Sequence, residues 1–297
     1  AVLIIALHPV LLLNVWRIHD GNLTALLLLS FLAAGIGSLR YRNNPSALLF
    51  GAITGLLFVV RPNTLFLFLV ALFLIFWKTG RGEKIKSFLK AAIFLIGAIV
   101  LVVALNFAVK QKPFFFPPQG FYNVFAGSNE YSTKYLLKDY SGENSLTEAL
   151  RARGFSSVDT FSELLSFPSN KYREFTIDFA KNNPLEYAKL TVLKVFTLFR
   201  PGYHVPEGFE WFSKEGLTRS LKIVLALPVF IWLFFVWKTR KNFFEKENLF
   251  VFVTVLLYIA PFFVANADPR YRFPLDIVFI ADSFCRWQAL RKGRFIS

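Results

Sequence analysis

The chain is 297 residues long and 55% hydrophobic, with a mean hydropathy of +0.48 and a formal charge of +15. That composition argues against an ordinary soluble domain and for a polytopic membrane protein of helical class. The positive charge argues no better for nucleic acid, because the basic residues cluster just after apolar runs, as cytoplasmic flanks of membrane spans do.

The single cysteine, Cys285, lies in an apolar run, so no intrachain disulfide is possible. No methionine occurs, even at position 1. A fragment whose start lies upstream of Ala1 is therefore expected.

Taken in order, Ala1 to Trp16 is an apolar stretch short for a span, followed by the polar break Arg17 to Gly21. Asn22 to Leu39, Ser46 to Val60, Thr64 to Trp77 and Phe88 to Val109 read as further spans, the two middle ones hinged at Arg61-Pro62-Asn63. A long polar region, 110–217, holds no convincing span. Ser220 to Trp237, Leu249 to Ala265 and Phe273 to Leu290 complete a bundle of about eight. The domain reading is thus 1–109 as five membrane helices, 110–217 as an extracytoplasmic loop domain, and 218–297 as three more helices.

Orientation follows from charge. The patches at 40–42, 78–90, 238–246 and 286–294 hold 15 of the 34 basic residues, and placing them on the cytoplasmic side lets the spans alternate without conflict. The 110–217 region has 13 basic and 12 acidic residues, hence no bias against translocation. The segments 17–21, 61–63, 110–217 and 268–272 then share the outer face. Within the long loop, Ser145 to Arg153 and Val158 to Leu165 read as short helices, with Ser145 and Glu148 fitting a capping box. Ser169 to Lys181 continues in that style. Leu185 to Phe199, apolar but carrying Lys189 and Lys194, reads as an interfacial helix lying on the bilayer.

The turn Asp268-Pro269-Arg270-Tyr271-Arg272-Phe273-Pro274 is the strongest site candidate. Two guanidiniums on the outer side suit a lipid-linked phosphate bidentately. The competing reading is local pairing: Arg272 with Asp276 four residues on, Asp268 with Arg270, and likewise Asp282 with Arg286. Arg61 is a further anion-binding candidate, following Gly51 and Gly55, whose spacing lets helices pack closely. His19 and Asp20 fall short of a metal site, which needs at least three ligands, and Asp20 equally suits a helix cap. A divalent cation is an open cofactor rather than a specified one. Asn123, Gly127, Ser128, Asn129 and Glu130 form a polar cluster suited to a sugar hydroxyl or to an ordinary turn. No Walker loop, dinucleotide fingerprint, HExxH, paired CxxC or nucleophile elbow occurs.

Four stretches resemble the membrane glycosyltransferases of the GT-C class, in the protein O-mannosyltransferase and aminoarabinose-transferase-like group. They are GAITGLLFVVRPN from Gly51 to Asn63, NVFAGSN from Asn123 to Asn129, NPLEYAKLTVLKVFTLFRP from Asn183 to Pro201, and RYRFP from Arg270 to Pro274. The resemblance implies a polyprenyl-phosphate-linked sugar as donor, an acceptor that is a lipid, a glycan or a protein, and transfer with inversion at the extracytoplasmic face of a membrane such as the bacterial inner membrane. It implies a donor-phosphate role for Arg270, Arg272, Tyr271 and Arg61, and substrate contacts from Asn123, Asn129 and His19. The group's principal acid lies in an early outer loop that this chain lacks, so the main base is expected upstream of Ala1. Asp20 matches a second acidic position, and the fragment alone is expected to be inactive. Two other classes stay open: a polysaccharide polymerase or ligase, which would use a diphosphate-linked donor, and a non-enzymatic transporter, which would show inverted repeats.

Overall fold

The computed structural model describes residues 20–41, 47–61, 64, 66–78, 84–110, 120–138, 142–155, 160–199, 215–265 and 269–291. Among them the fold is all-helical, with no strand. The first apolar run Ala1 to Trp16, His19, Pro62-Asn63 and the basic tail beyond Arg291 lie outside the described residues. The chain divides into two compact units. Unit 1 comprises Ala1–Phe115, Val205–Tyr258 and Phe273–Ser297; unit 2 comprises Phe116–His204 and Ile259–Arg272. Unit 2 therefore takes in 259–272, a segment that the sequence reading grouped with the last three helices.

In unit 1 the helices are α1 (Asp20–Tyr41), α2 (Ala47–Val60), α3 (Leu67–Lys78) and α4 (Lys84–Lys110), then α11 (Glu215–Lys238), α12 (Lys246–Ile259) and α13 (Phe273–Arg291). The stretch Lys246–Phe263, which is α12 and the 3₁₀ turn after it, is long and apolar enough to cross a membrane. Gly21–Ile36, Phe50–Val60, Ala92–Ala104 and Ala226–Lys238 are shorter apolar segments. These helices are apolar on more than their packed faces: Leu26, Phe73, Ile96, Val100, Phe107, Phe230 and Phe234 are all exposed.

Aromatic contacts knit the interior of unit 1. Phe31 lies 5.0 Å from Phe50 and 5.7 Å from Phe250, and Phe94 lies 5.8 Å from Phe50 and 5.9 Å from Phe68, ring centre to ring centre. Around them α2 packs along α4 so closely that only glycine fits. A Cβ on Gly51 would stand 2.2 Å from the Phe94 carbonyl oxygen, and one on Gly55 would stand 2.9 Å from that of Ala98. The close packing expected of these two glycines is therefore present. Elsewhere in unit 1, α11 and α13 run side by side and exchange polar contacts. Trp232 Nε1 donates to Asp282 Oδ2 at 2.8 Å, and Arg286 Nε donates to the same oxygen at 2.7 Å. Arg286 Nη1 donates to Thr239 Oγ1 at 2.6 Å, and Trp232 stacks on Phe279. The Asp282–Arg286 pair expected from the four-residue spacing does form.

Unit 2 holds α5 (Gly120–Ala126), α6 (Ser132–Lys138), α7 (Gly142–Ala152), α8 (Phe161–Ser166), α9 (Ser169–Asn182) and α10 (Pro184–Phe199), with 3₁₀ turns at Ala260–Phe263 and Pro269–Arg272. Its core gathers Tyr122, Phe125, Leu146, Leu150, Leu164 and Tyr172, with Tyr172 donating to the Leu164 carbonyl at 2.7 Å. Ser145 and Glu148 make no capping box, because α7 begins three residues earlier at Gly142 and both sit inside it. Their side chains are used otherwise: Ser145 donates to Asn129 Oδ1, and Glu148 accepts from Lys134 and Tyr135. A capping box forms instead at Thr160 with Glu163, which starts α8 at Phe161 rather than Val158.

Replacing Gly51 with leucine forces backbone atoms of α2 and α4 apart. Glycine-to-alanine alone would raise helix propensity by about 1 kcal/mol, yet overpacking costs about 1–3 kcal/mol. We therefore expect Gly51→Ala to lower thermal stability in detergent despite its better propensity, and Gly51→Leu to lower it further. Unchanged melting in both variants would contradict the close approach.

Candidate functional site

The polar cluster at the end of α5 is built by a chain reversal. Gly127 N donates to the Asn123 carbonyl and Ser128 N to that of Phe125, so the helix closes and turns. Asn129, fully buried, then organises the turn. Its Nδ2 donates to the Phe125 carbonyl at 2.7 Å, while its Oδ1 accepts from Tyr131 N and Ser145 Oγ, each at 2.9 Å. Asn129 N donates to Ser132 Oγ at 2.9 Å. A buried amide with three side-chain contacts of this kind specifies one local fold. Asn123 lies at the opposite extreme, exposed on α5.

Beside this turn stands Lys194, 1% exposed in the middle of α10. Its Nζ donates to Ser128 Oγ at 2.6 Å and to the Val264 carbonyl at 2.7 Å, and Ser128 Oγ lies 2.9 Å from the same carbonyl. Three segments more than sixty residues apart thus meet at one amine. Burial pushes the Lys194 pKa down from 10.5 to about 7. A lysine amine against a serine hydroxyl is also the pairing used by Ser–Lys nucleophiles. Here both groups are sealed and share one backbone carbonyl, so the arrangement fastens the unit rather than attacking a substrate.

The same helix anchors the arginine turn. Arg272, 0% exposed, donates from Nη1 to the Phe199 carbonyl at 2.9 Å, at the last residue of α10. That carbonyl is among the four that a helix end leaves without an intrahelical partner, and a guanidinium there also complements the helix dipole. Tyr271 stacks on Phe262 with ring centres 5.2 Å apart, so the Pro269–Arg272 turn is tied to the Ala260–Phe263 turn as well. The opposite face of α10 is apolar and exposed at Leu185, Val192 and Phe196, Leu185 at 84%.

The expected site residues are therefore distributed as follows. Arg272, Tyr271, Asn123 and Asn129 all belong to unit 2. Arg270 lies in the same 3₁₀ turn as Arg272, its side chain outside the described residues. Arg61 belongs to unit 1, buried just after α2, where its carbonyl accepts from Thr64 N at 2.9 Å and Thr64 Oγ1 at 2.8 Å. Asp20 is the first residue of α1 with its side chain outside the described residues, and His19 lies outside them altogether. Among the described residues no three of His, Cys, Asp or Glu gather as metal ligands.

Sequence reasoning missed Lys194 as an organiser. The signal was its spacing: Leu190, Lys194, Thr197 and Leu198 form one buried stripe on α10, which places a lysine where an apolar residue belongs. Compared with known proteins, the chain matches no family model, no curated protein and no solved structure.

The depressed Lys194 pKa sets a pH dependence. Between about pH 7 and 10.5 the unfolded lysine carries a proton that the folded one does not, so stability rises with pH across that window and is lost as pH falls toward 7. Every tenfold weakening of the amine's hold on its proton corresponds to about 1.4 kcal/mol. Thermal unfolding of the full chain should therefore shift upward from pH 7 to pH 10, and Lys194→Met should flatten that rise. A slope that persists in the methionine variant would show that another group causes it.

Proposed function

We propose that this chain acts as a membrane-embedded glycosyltransferase that takes a sugar from a polyprenyl-phosphate donor at the extracytoplasmic face of a bacterial inner membrane and transfers it with inversion. The observation that carries the reading is a convergence inside unit 2. Three of the four stretches that resemble the GT-C group, centred on Ser128, on α10 and on the arginine turn, are joined there by the Lys194–Ser128 and Arg272–Phe199 hydrogen bonds. Stretches so far apart in sequence gain a common physical reason if they build one donor-binding surface.

The apolar outer faces of the unit 1 helices support the bilayer assignment, with about eight spans as the finer reading. The exposed Leu185–Val192–Phe196 stripe supports α10 as an interfacial helix. On this proposal Arg270 and Tyr271 meet the donor phosphate. Arg272 positions the turn from beneath, since its guanidinium is already committed to the end of α10. A guanidinium stabilises the departing lipid phosphate as charge develops on it, while a carboxylate takes the acceptor's proton.

Donor binding tests the proposal without depending on which carboxylate serves as base. The full chain in nanodiscs should bind polyprenyl phosphate roughly tenfold or more tighter than the corresponding polyprenol, the worth of a charge-assisted hydrogen bond. Arg270→Ala should erase that difference. Equal affinities for alcohol and phosphate in the unsubstituted chain would overturn the proposal. Stronger binding of the diphosphate would move the protein to the polymerase or ligase class.

A further inference from the structure

A cavity of about 320 Å³ opens between α11 and α13, within unit 1. Its walls are Pro228, Ile231 and Phe235 from one helix, and Ile280, Ser283, Phe284 and Trp287 from the other. These residues recur at intervals of three, four and seven, so the cavity follows one face of each helix as a lengthwise groove rather than a round pit. Two features distinguish it from a chance gap between apolar helices.

The first is charge at one end. One turn beyond Phe235 and Trp287 stand Lys238 and Arg291, both exposed, with Arg240 and Lys241 in the turn that follows α11. Lys238 lies over the Trp237 ring and Arg291 over the Trp287 ring, at 5.2 and 5.7 Å. Indoles and basic side chains at one level are the signature of an interface between hydrocarbon and headgroups. Glu245 and Glu247 follow in the next turn, leaving cations to predominate at the groove mouth.

The second feature is Ser283. The residue lines the groove and is 4% exposed, and among the described residues its buried Oγ has no hydrogen-bond partner. A buried hydroxyl without a partner is costly unless an occupant supplies one. Along α13, Ser283 lies about 12 Å from Arg291, and the long arginine and lysine side chains reach back over part of that span.

From these observations we infer that the groove between α11 and α13 holds one acyl chain of an anionic glycerophospholipid, with Ser283 donating to its ester carbonyl and Lys238 and Arg291 binding its phosphate. An apolar tail, a carbonyl and an anionic head, in that order, match the apolar walls, the orphan hydroxyl and the cationic mouth. The inference rests on the bilayer assignment proposed above, and it concerns a structural lipid distinct from the sugar donor.

Delipidated full-length protein in detergent, titrated separately with phosphatidylglycerol and phosphatidylcholine and read by native mass spectrometry, tests it. Phosphatidylglycerol should bind roughly tenfold tighter, as charge-assisted contacts to phosphate require. Lys238→Gln combined with Arg291→Gln should remove that preference, whereas Ser283→Ala should weaken both lipids alike. Equal binding of the two lipids, or a preference that survives the double substitution, would overturn the inference. So would displacement of phosphatidylglycerol by polyprenyl phosphate at equal potency, which would give the groove to the donor. Release of the protein from membranes by alkaline carbonate would instead overturn the bilayer assignment itself, so the two failures are distinguishable.

Discussion

Unit 2 depends on one buried amine. Lys194 reaches from the middle of α10 to a hydroxyl in the turn after α5 and to a carbonyl in the turn after the Ala260–Phe263 segment. A lysine taken out of water loses more solvation than a single hydrogen bond returns, which is why its proton is held so weakly. Its two hydrogen bonds, to Ser128 Oγ and the Val264 carbonyl, fix where three segments meet. Around it the other polar contacts fall into place: Asn129 closes the first turn, and Arg272 caps the far end of α10. The result is a small helical unit in which α10 and the turn beside it tie together segments far apart in sequence.

Unit 1 solves the opposite problem. Its helices carry apolar side chains outward as well as inward, so in the bilayer proposed for them burial of apolar surface would give little direction to their packing. Close backbone approach and a few polar ties supply the direction instead. Gly51 and Gly55 admit the carbonyls of Phe94 and Ala98, and Asp282 collects donors from Trp232 and Arg286. Each such contact is short-range and tolerates little displacement, so it fixes the register of the helices it joins.

How much of this was legible in the sequence depended on periodicity and on distance along the chain. The long apolar helices were legible because their runs are uninterrupted, and the ends of α2, α10 and α13 differ from expectation by only a residue or so. The Asp282–Arg286 pair and the Gly51/Gly55 packing were legible because local spacing alone specifies them. The capping box was misplaced because Ser145-x-x-Glu148 and Thr160-x-x-Glu163 both satisfy the same short pattern, and only the tertiary demand of Asn129 for the Ser145 hydroxyl decides between them. The Lys194 tie was illegible for a related reason. Nothing local to α10 reveals that Ser128 and Val264 will arrive beside it. The tie from Arg272 to Phe199 was illegible for the same reason, since the helix end it meets lies more than seventy residues earlier.

We propose that the chain is embedded in a bilayer with residues 110–217 on the outer side and 238–246 on the inner side. Cysteine accessibility in intact cells tests it most directly. In a Cys285→Ser background, a membrane-impermeant maleimide should label Asn170→Cys, on an exposed position of α9, without permeabilisation. Lys241→Cys, in the exposed turn after α11, should be labelled only once the membrane is opened. Labelling of Lys241→Cys from outside with Asn170→Cys protected would contradict the orientation, and labelling of neither or both in sealed cells would contradict the membrane arrangement as a whole.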